Sequence, residues 1–387
     1  MNFRFTPEQE AFRAEVRAFC ARHVTPDVVD RVRRLGEEND RALYAALAAR
    51  GWLGLDYPVE YGGLGHDQVM MAIFREETAY AHAPLMAHEV NNIIAHSLRL
   101  VASEAQKRAY IPRVVQGEII FCMGYSEPGH GSDLAGLRTR AERDGDGWVV
   151  NGQKIFTTNA HIASTMLLAA RTDPAAPKHK GISLFLVDMA GTPGITVAPL
   201  WTLGGWRVNT VYLDNVRVPA ADLVGREHDG WKALAVALDV ERSGLMYVGR
   251  ARRALDELVR WFLANAPERL RPGTAASEAI GRLGAELAGG RLLAYRVASM
   301  QAQGLTPNHE ASMAKVFSTE LVQRVCQTAL ELIGPAAALK ADAPGAAAGG
   351  FFEEEVRWAA MATIVAGTSE IQRGIIATRG LGLAKSA

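Results

Sequence analysis

The stretch WVVNGQKIF, residues 148–156, marks the point where the periodicity changes along this chain of 387 residues. Apolar and polar residues alternate around Asn151-Gly152, a pattern typical of two β-strands joined by a hairpin turn. The stretch Asp144 to Gly147 predicts another turn just before it. Four further runs with β-type composition follow: TMLLAART, GISLFLVDM, GITVAPL and NTVYLDNVRV. We therefore predict a compact antiparallel sheet or β-barrel over residues 121–228.

Helical periodicity occupies the chain on both sides of this region. In residues 1–120 apolar residues recur at helical spacing, and Thr6, Pro7 and Gln9 have the pattern of a capped helix start. The helical period returns over residues 229–387, interrupted by a Pro/Gly-rich loop at 334–350. The predicted fold class is a multidomain α+β protein with an N-terminal helical domain (1–120), a middle β-barrel domain (121–228) and a C-terminal helical domain (229–387).

Composition excludes several classes of protein. Lys+Arg and Asp+Glu both total 42, so the chain has no net charge with which to attract nucleic acid. Cys20, Cys122 and Cys326 are far apart and lack metal-ligand spacing, which favours reduced core residues. The N-terminus has no signal-peptide pattern, and no window approaches the about 20 apolar residues of a membrane span. We expect a soluble, cytoplasmic protein with no metal site.

One carboxylate stands out in LDVERSGL, residues 238–245, where the pattern predicts the middle of a long amphipathic helix. At about 100° per residue, Glu241 projects into a narrow apolar stripe. The stripe consists of Leu234, Leu238, Leu245 and Val248. A buried carboxylate is unfavourable unless it is paired or used in chemistry. Glu241 is therefore either an ion-pair partner of Arg242 or Arg252, or a catalytic base whose pKa is tuned by burial.

Two stretches near the start of the β region have the composition of ligand-binding loops. In GYSEPGHGSDLAG, residues 124–136, glycines allow close backbone approach, and Ser126 and Ser132 can donate to a phosphate or carbonyl. In NGQKIFTTNAH, residues 151–161, Phe156 with Thr157 and Thr158 could contact a planar ring. The alternatives are a polar turn and an ordinary strand.

A third stretch, VAGTSEIQRGIIATRGLG at residues 365–382, predicts a helix start. Thr368 or Ser369 would cap it, and its N-terminus would favour an anionic ligand; a plain cap explains the pattern equally well. No GxGxxG lies between a strand and a helix, and no βαβ alternation exists, so a dinucleotide-binding fold is disfavoured.

Together, the α–β–α order and the pairing of YSEPGHGSD with AGTSEIQR resemble the acyl-CoA dehydrogenase family of flavoproteins over essentially the whole chain. The resemblance implies a helical domain, a β-barrel and a C-terminal domain of the four-helix-bundle type, with FAD and an acyl thioester between the last two. It also implies α,β-dehydrogenation to a trans-2-enoyl thioester, with electrons passing to an electron-transferring flavoprotein. Whether the acyl group is carried by coenzyme A or by a carrier protein stays open.

The resemblance also implies roles for residues at matching positions. The implied FAD contacts are Met123, Tyr125, Ser126, Ser132, Phe156, Thr157, Thr158, Thr368 and Glu370. The implied substrate contacts are Ser132, Asp239, Arg242 and Gly367. A backbone amide of Gly367 or Ala366 would donate to the thioester carbonyl.

The catalytic base is expected at an unusual position. Many family members have a glutamate immediately before the Gly-Thr of the C-terminal motif, where this chain has Ala366. Isovaleryl- and long-chain-type members carry the base on a helix in a motif like LDLER, and LDVER places Glu241 at that position. The loss of one carboxylate and the presence of the other favour Glu241 as the base.

The chain departs from the family at segments that reach a neighbouring subunit. An RxxFG pattern is absent, and ELIGP has Glu331 and Pro335 where a QxxGG segment has Gln and Gly. We therefore expect either a hetero-oligomer whose partner supplies these groups or a homo-oligomer that holds FAD differently. The alternatives are a flavin monooxygenase of the same fold and a low-activity partner subunit. His130, unusual for the family, would contact a phosphate or be an exposed loop histidine.

Overall fold

The computed structural model describes residues 4–234 and 244–384. These residues form two compact units, each assembled from separate stretches of sequence. The first takes its described residues from Met1–Pro26, Asp67–Ala83 and Glu241–Ala387, and the second from Asp27–His66 and Pro84–Val240. The domain boundaries after residues 120 and 228 stay a prediction.

Helices dominate the chain on both sides of its middle third. In chain order they are α1 (Pro7–His23), α2 (Pro26–Leu35), α3 (Arg41–Ala49), α4 (Gln68–Tyr80), α5 (Met86–Val101), α6 (Glu104–Val115), α7 (Leu245–Asn265), α8 (Ala275–Ala302), α9 (His309–Ile333), α10 (Phe351–Ala362) and α11 (Ser369–Ile375). Within residues 4–234 and 244–384, no helix has the length and apolar character needed to cross a membrane.

The middle of the chain forms a β-sheet. Its strands are β1 (Phe121–Gly124), β2 (Arg140–Asp144), β3 (Gly147–Lys154), β4 (Thr165–Arg171), β5 (Ile182–Asp188), β6 (Ile195–Trp201), β7 (Arg207–Pro219) and β8 (Leu223–Val224). The order is β6-β7-β3-β2-β4-β5-β8, with β1 beside β4. Most pairs are antiparallel as predicted, but β1 and β2 pair with β4 in parallel. The predicted fold class, helical regions flanking a β region, is confirmed.

The sheet curls strongly around an apolar core. Trp148 on β3 and Phe185 on β5 are separated in the strand order by β2 and β4, yet their ring centroids lie 5.3 Å apart. Strands three places apart in a flat sheet would be about 14 Å apart. The enclosed cluster includes residues of β1, β2, β3, β4, β5 and β7, as in a barrel.

One predicted turn is present and the other is not. Asp144 pairs with Gly147 across the turn between β2 and β3. The hairpin predicted at Asn151-Gly152 is wrong, because both residues lie inside β3, where the register against β7 shifts in a β-bulge. A Cβ on Gly152 would lie 2.4 Å from Oγ1 and 2.7 Å from Cα of Thr139. The glycine therefore serves close backbone packing and not a turn.

The N-terminal helix begins as predicted. The Gln9 amide donates to Thr6 Oγ1 over 3.2 Å, and the Thr6 amide donates to Gln9 Oε1 over 3.0 Å, a capping box. The predicted apolar face of α1 is buried. Cys20, Cys122 and Cys326 are also buried and free of disulfides, as expected.

Glu77, a buried residue of α4, joins three helices of the first unit. It accepts hydrogen bonds from Arg13 Nε at 2.7 Å, Arg17 Nε at 2.9 Å and Arg252 Nη2 at 2.7 Å. Burial alone would raise the pKa of the Glu77 carboxyl, but the hydrogen bonds and charges of these arginines outweigh it and lower that pKa to about 2. The ionised carboxylate therefore holds α1 and α7 to α4.

The adjacent Glu76 extends this network to α8. Its carboxylate accepts from Arg252 Nη1 at 2.5 Å, Arg291 Nε at 3.0 Å and the Tyr295 hydroxyl at 2.7 Å. Arg252 thus contacts both acidic residues of α4. These contacts engage one of the two arginines that were candidate partners of Glu241.

The helix predicted to run without interruption through residues 238–245 is wrong at its C-terminal end. α7 begins at Leu245, and Gly244 before it has a left-handed φ of +79°. A Cβ on Gly244 would lie 2.9 Å from Ser318 Oγ and 3.1 Å from the Ala314 carbonyl oxygen, so the backbone packs closely on α9. Residues 235–243, which include Glu241, lie outside the described part of the chain.

Candidate functional site

Glu127 organises the glycine-rich loop, which we define as residues 124–136. Its side chain is 6 % exposed, and its carboxylate accepts from the Arg138 amide at 2.6 Å and the Thr139 amide at 2.9 Å. Its backbone also closes a turn with His130, whose amide donates to the Glu127 carbonyl over 2.9 Å. The loop therefore has a defined conformation built around one carboxylate.

Lys154, the last residue of β3, is the charged partner of Glu127. The Lys154 side chain is fully buried, and its Nζ lies 2.8 Å from Glu127 Oε1 and 3.2 Å from the Tyr125 carbonyl oxygen. Burial lowers the pKa of the Lys154 ammonium to about 8, although the Glu127 charge opposes this shift. The pKa of Glu127 lies below its usual value because Lys154 and the amide donors outweigh the effect of burial.

The aromatic turn, defined as residues 155–159, follows directly. Phe156 has φ +55°, rare for a residue with a side chain, and the residue is 61 % exposed. The chain then rejoins β7: the Thr157 amide donates to the Asn209 carbonyl over 2.9 Å, and Asn209 Nδ2 donates to the Thr157 carbonyl over 3.0 Å. The backbone thus presents an aromatic side chain at the end of the sheet while its flanks stay paired.

Thr157 Oγ1 is a buried hydroxyl without a hydrogen-bond partner in the described part of the chain. Its residue is 1 % exposed, although both backbone groups are bonded. Orphaned polar atoms at this depth are uncommon and call for an explanation. A cofactor with polar ring atoms would supply a partner for such a group.

In the first unit, the segment 366–372 includes the start of α11. Of the two predicted caps, Thr368 and Ser369, Thr368 is the N-cap, and its Oγ1 accepts from the Ile371 amide over 3.3 Å. Lys315 Nζ on α9 donates to the Gly367 carbonyl over 2.9 Å, and Gln372 Nε2 donates to the Ala366 carbonyl over 3.1 Å. Both Ala366 and Gly367 have positive φ, +56° and +87°. Lys315 therefore holds the segment from α9, and Gln372 ties its first residues to the helix that follows them.

Glu370 is exposed in the first turn of α11. Hydrogen bonding to its own backbone amide and to Thr368 lowers the pKa of its carboxyl. The carboxylate is thus held in its charged form at the helix N-terminus, where the exposed amides favour negative charge.

The structure brings together several of the predicted cofactor residues on the second unit. Tyr125 and Ser126 adjoin the aromatic turn, because the Ile155 amide donates to the Ser126 carbonyl over 2.9 Å. Met123 is half-buried on β1, Ser132 is exposed in the glycine-rich loop, and Thr158 is half-buried. Thr368, Glu370 and Gly367 belong to the first unit, which is described separately. Asp239, Glu241 and Arg242 lie outside the described residues.

Glu331, Pro335 and His130, where the sequence differs from the family pattern, contact residues near them in the sequence. Glu331 is exposed near the end of α9, and its Oε1 accepts from Gln327 Nε2 over 3.1 Å. Pro335 starts the 3₁₀ turn Pro335–Ala338 within the predicted loop. The ring of His130 is largely covered and lies beside Gly136, where an added Cβ would be 2.6 Å from its Nδ1. The expectation of an exposed loop histidine is therefore wrong for this ring.

Glu127, Lys154 and Lys315 were not among the predicted site residues. Glu127 and Lys154 lie within the stretches 124–136 and 151–161, but in those stretches the predicted contacts were the serines, Phe156 and the threonines. The signal was available: Lys154 shares strand parity with the buried Trp148 and Val150, so a charged residue stood where an apolar one was expected. Glu241 is singled out by the same pattern, a charged residue at an apolar position.

The fold and these segments define a multidomain α+β protein with a cluster of loops at the end of a curled sheet. Three family models match in order: acyl-CoA dehydrogenase N-terminal domain over residues 6–118, middle domain over 122–216 and C-terminal domain over 228–381. The chain belongs to the acyl-CoA dehydrogenase family and is an oxidoreductase of that family.

Similar proteins match over the full length. Acyl-CoA dehydrogenase FadE26 of Mycobacterium tuberculosis (strain ATCC 25618 / H37Rv) is 36 % identical over 401 residues, covering 100 % of both chains. A solved structure described as the Tcur3481-Tcur3483 steroid ACAD has a TM-score of 0.91 at 33 % identity, again with 100 % coverage of both chains. The ChsE4-ChsE5 complex from Mycobacterium tuberculosis has a TM-score of 0.89 at 34 % identity and 100 % coverage of both.

Proposed function

We propose that this protein catalyses FAD-dependent α,β-dehydrogenation of an acyl thioester to the trans-2-enoyl thioester and passes the electrons to an electron-transferring flavoprotein. The observation that carries the proposal is the juxtaposition of the glycine-rich loop and the aromatic turn in a chain that belongs to the acyl-CoA dehydrogenase family. FAD would supply the acceptor for the hydride that leaves the β-carbon.

The described residues are compatible with a flavin. The exposed Phe156 ring offers a flat apolar surface, and the unpartnered Thr157 hydroxyl offers a polar group beside it. We assign the remaining cofactor contacts to Met123, Tyr125, Ser126, Ser132 and Thr158 on the second unit. On the first unit we assign them to Thr368 and Glu370.

The protein's own part in the reaction is to orient the thioester and to move one proton. In this proposal a backbone amide at Ala366 or Gly367 donates to the thioester carbonyl and stabilises the negative charge that develops there. Lys315 and Gln372 hold that segment in place through its carbonyls. Ser132, Asp239 and Arg242 are the proposed contacts to the acyl carrier and the acyl group.

Glu241 is the proposed base that removes the α-proton. The support is a sequence argument: Ala366 occupies the position of one family carboxylate, and the LDVER motif supplies the other. Because the thioester α-proton is weakly acidic, the base must be desolvated and its pKa brought towards the working pH.

We propose that the acyl group is bulky and ring-bearing. A base on a helix is compatible with branched, long-chain or ring-bearing acyl groups, and a similar solved structure is described as a steroid ACAD. The carrier is proposed to be coenzyme A, with a carrier protein as the alternative.

A second proposal concerns assembly. Glu331 and Pro335 replace residues that family members extend to a neighbouring subunit, and a similar solved structure is a complex of two differently named chains. We propose a hetero-oligomer whose partner subunit supplies those groups. Full FAD occupancy and turnover by the chain purified alone would refute this assembly and favour a homo-oligomer.

Anaerobic mixing with a panel of acyl-CoA thioesters tests the function. A dehydrogenase should lose its visible flavin absorbance without NAD(P)H, most rapidly with the preferred acyl group, so the panel should include steroid-bearing, branched and straight-chain thioesters. Oxygen-dependent product formation without any thioester would instead indicate a flavin monooxygenase. Failure to bleach both alone and with a co-purified partner would refute the proposal.

A further inference from the structure

We propose that Glu127 and Lys154 form a positioning pair that holds the glycine-rich loop and the aromatic turn in one fixed arrangement, so that both parts of the flavin surface on this unit are set together. This inference rests on the proposed function, since it assigns the pair to the FAD site. Neither residue is proposed to touch the flavin.

Three bonds join the glycine-rich loop to the end of β3 and to the first residue of the aromatic turn. Lys154 Nζ contacts Glu127 Oε1 at 2.8 Å and the Tyr125 carbonyl at 3.2 Å. One residue further along, the Ile155 amide donates to the Ser126 carbonyl over 2.9 Å. Two of the three bonds depend on the single ammonium of Lys154, so its removal would release most of the connection.

Glu127 also fixes the loop to the strand that follows it. Its Oε2 accepts from the Arg138 amide at 2.6 Å, and its Oε1 accepts from the Thr139 amide at 2.9 Å as well as from Lys154. Both oxygens are therefore engaged and the rotamer is fixed. Glu127 thus bonds the loop both to the residues just before β2 and to the end of β3.

The burial of this pair indicates that it fixes the geometry of the two loops more than it stabilises the fold. Lys154 is fully buried and Glu127 nearly so, and two desolvated charges usually stabilise a fold no better than well-packed apolar side chains. What a buried ion pair adds is a requirement for one geometry. Arg171 on β4 is a further cation whose charge interacts with Glu127, and its Nη2 donates to the Ala135 carbonyl of the same loop over 2.5 Å.

The proposed flavin contacts lie within a few residues of the pair. Tyr125 and Ser126 immediately precede Glu127, and Phe156 and Thr157 follow Lys154 by two and three residues. A binding surface assembled from two loops needs both loops held closely to one geometry. Loss of the pair should therefore weaken FAD binding without any direct contact being removed.

FAD affinity of the apoprotein, measured by titration of the chain alone or together with any co-purified partner subunit, gives the first test. We expect K154M and E127Q to raise the FAD Kd by about 10- to 100-fold, the range of one charge-assisted hydrogen bond. K154R, which keeps a donor cation, should restore most of the affinity, a rescue that a purely space-filling role would not give. The control is R217M, which breaks the exposed pair between Arg217 and Asp144 on the same sheet and should leave the Kd unchanged.

Amide hydrogen exchange of the apoprotein separates this inference from the proposed function. In K154M and E127Q, exchange should accelerate in the glycine-rich loop and the aromatic turn together, while the rest of the sheet stays protected. If the wild-type protein binds no FAD either alone or with a co-purified partner subunit, the proposed function fails and the exchange result still decides the role of the pair. Unchanged exchange and unchanged FAD affinity in folded E127Q, the variant of nearly identical shape, would overturn the inference even if K154M did not fold.

Discussion

Lys315 Nζ donates to the carbonyl oxygen of Gly367 over 2.9 Å, joining a fully buried ammonium on α9 to the segment before α11. In the proposed function the amide of this segment binds the thioester carbonyl. We expect K315M to lower kcat/KM for flavin reduction by roughly tenfold or more, because a charge-assisted hydrogen bond that fixes the segment is lost. Rapid-mixing kinetics under anaerobic conditions measure this.

The control for Lys315 is an exposed lysine of the same unit. K340M removes the same charge from the surface and should leave both the kinetics and the stability nearly unchanged. If K315M reduced its flavin as fast as wild type while remaining folded, the segment would owe its catalytic geometry to other contacts.

Helix starts were predictable from the sequence because they depend on neighbouring residues alone. Thr6 with Gln9 forms the expected capping box, and Thr368, one of the two candidate residues, caps α11. The side-chain hydroxyl and the amides it accepts from lie within three residues of each other. The order of helical and β regions was equally predictable, since the spacing of apolar residues in helices and in strands can be read directly from the sequence.

Contacts between residues far apart in the sequence could not be predicted in the same way. Asn151-Gly152 has hairpin chemistry, but Gly152 is required by the approach of Thr139, a residue on another element. Gly244 likewise interrupts the predicted helix where the backbone packs on α9. Lys154 was overlooked because its partner Glu127 lies far away in sequence. Each of these depends on a contact that local pattern does not contain.

Gly152 supplies a direct test of that packing argument. A Cβ at this position would lie 2.7 Å from Thr139 Cα, so G152A must displace backbone. We expect a loss of about 1–3 kcal/mol or more in the free energy of unfolding. Urea denaturation measures it. G281A on α8, where an added Cβ has no atom within 4 Å, should be neutral or slightly stabilising; equal effects of the two substitutions would contradict the packing argument.

Glu77 should make stability depend on acid pH. Its pKa is about 2 in the fold against an ordinary 4.5, so the unfolded chain binds the proton more readily between these values. The stabilisation is therefore present above about pH 4.5 and is lost as the pH falls towards 2, with a full size of about 3 kcal/mol. Urea unfolding of wild type and E77Q at several pH values should give a difference that shrinks below pH 4.5. E8Q, at an exposed position on α1, is the control, and a difference independent of pH would count against the network.

Glu241 is the residue on which the proposed chemistry depends most. E241Q keeps the size and polarity of the side chain but removes the base, so FAD and thioester should still bind while flavin reduction slows by roughly 10²–10⁴-fold. Single-turnover bleaching under anaerobic conditions measures the rate, and the flavin spectrum on adding thioester reports binding. Near-normal reduction by E241Q would show that another group removes the proton.

Ala366 allows a second test of the same assignment, because it occupies the position where many family members carry the carboxylate. If the two positions reach the same α-carbon, adding A366E to E241Q should recover part of the lost reduction rate. Ala366 already has φ +56°, so a glutamate there meets the same backbone conformation that the alanine tolerates. A366Q in the same background is the matched control, since it has the same shape without a base and should recover nothing. Equal rates for the two double variants would mean that position 366 does not reach the α-carbon in this chain.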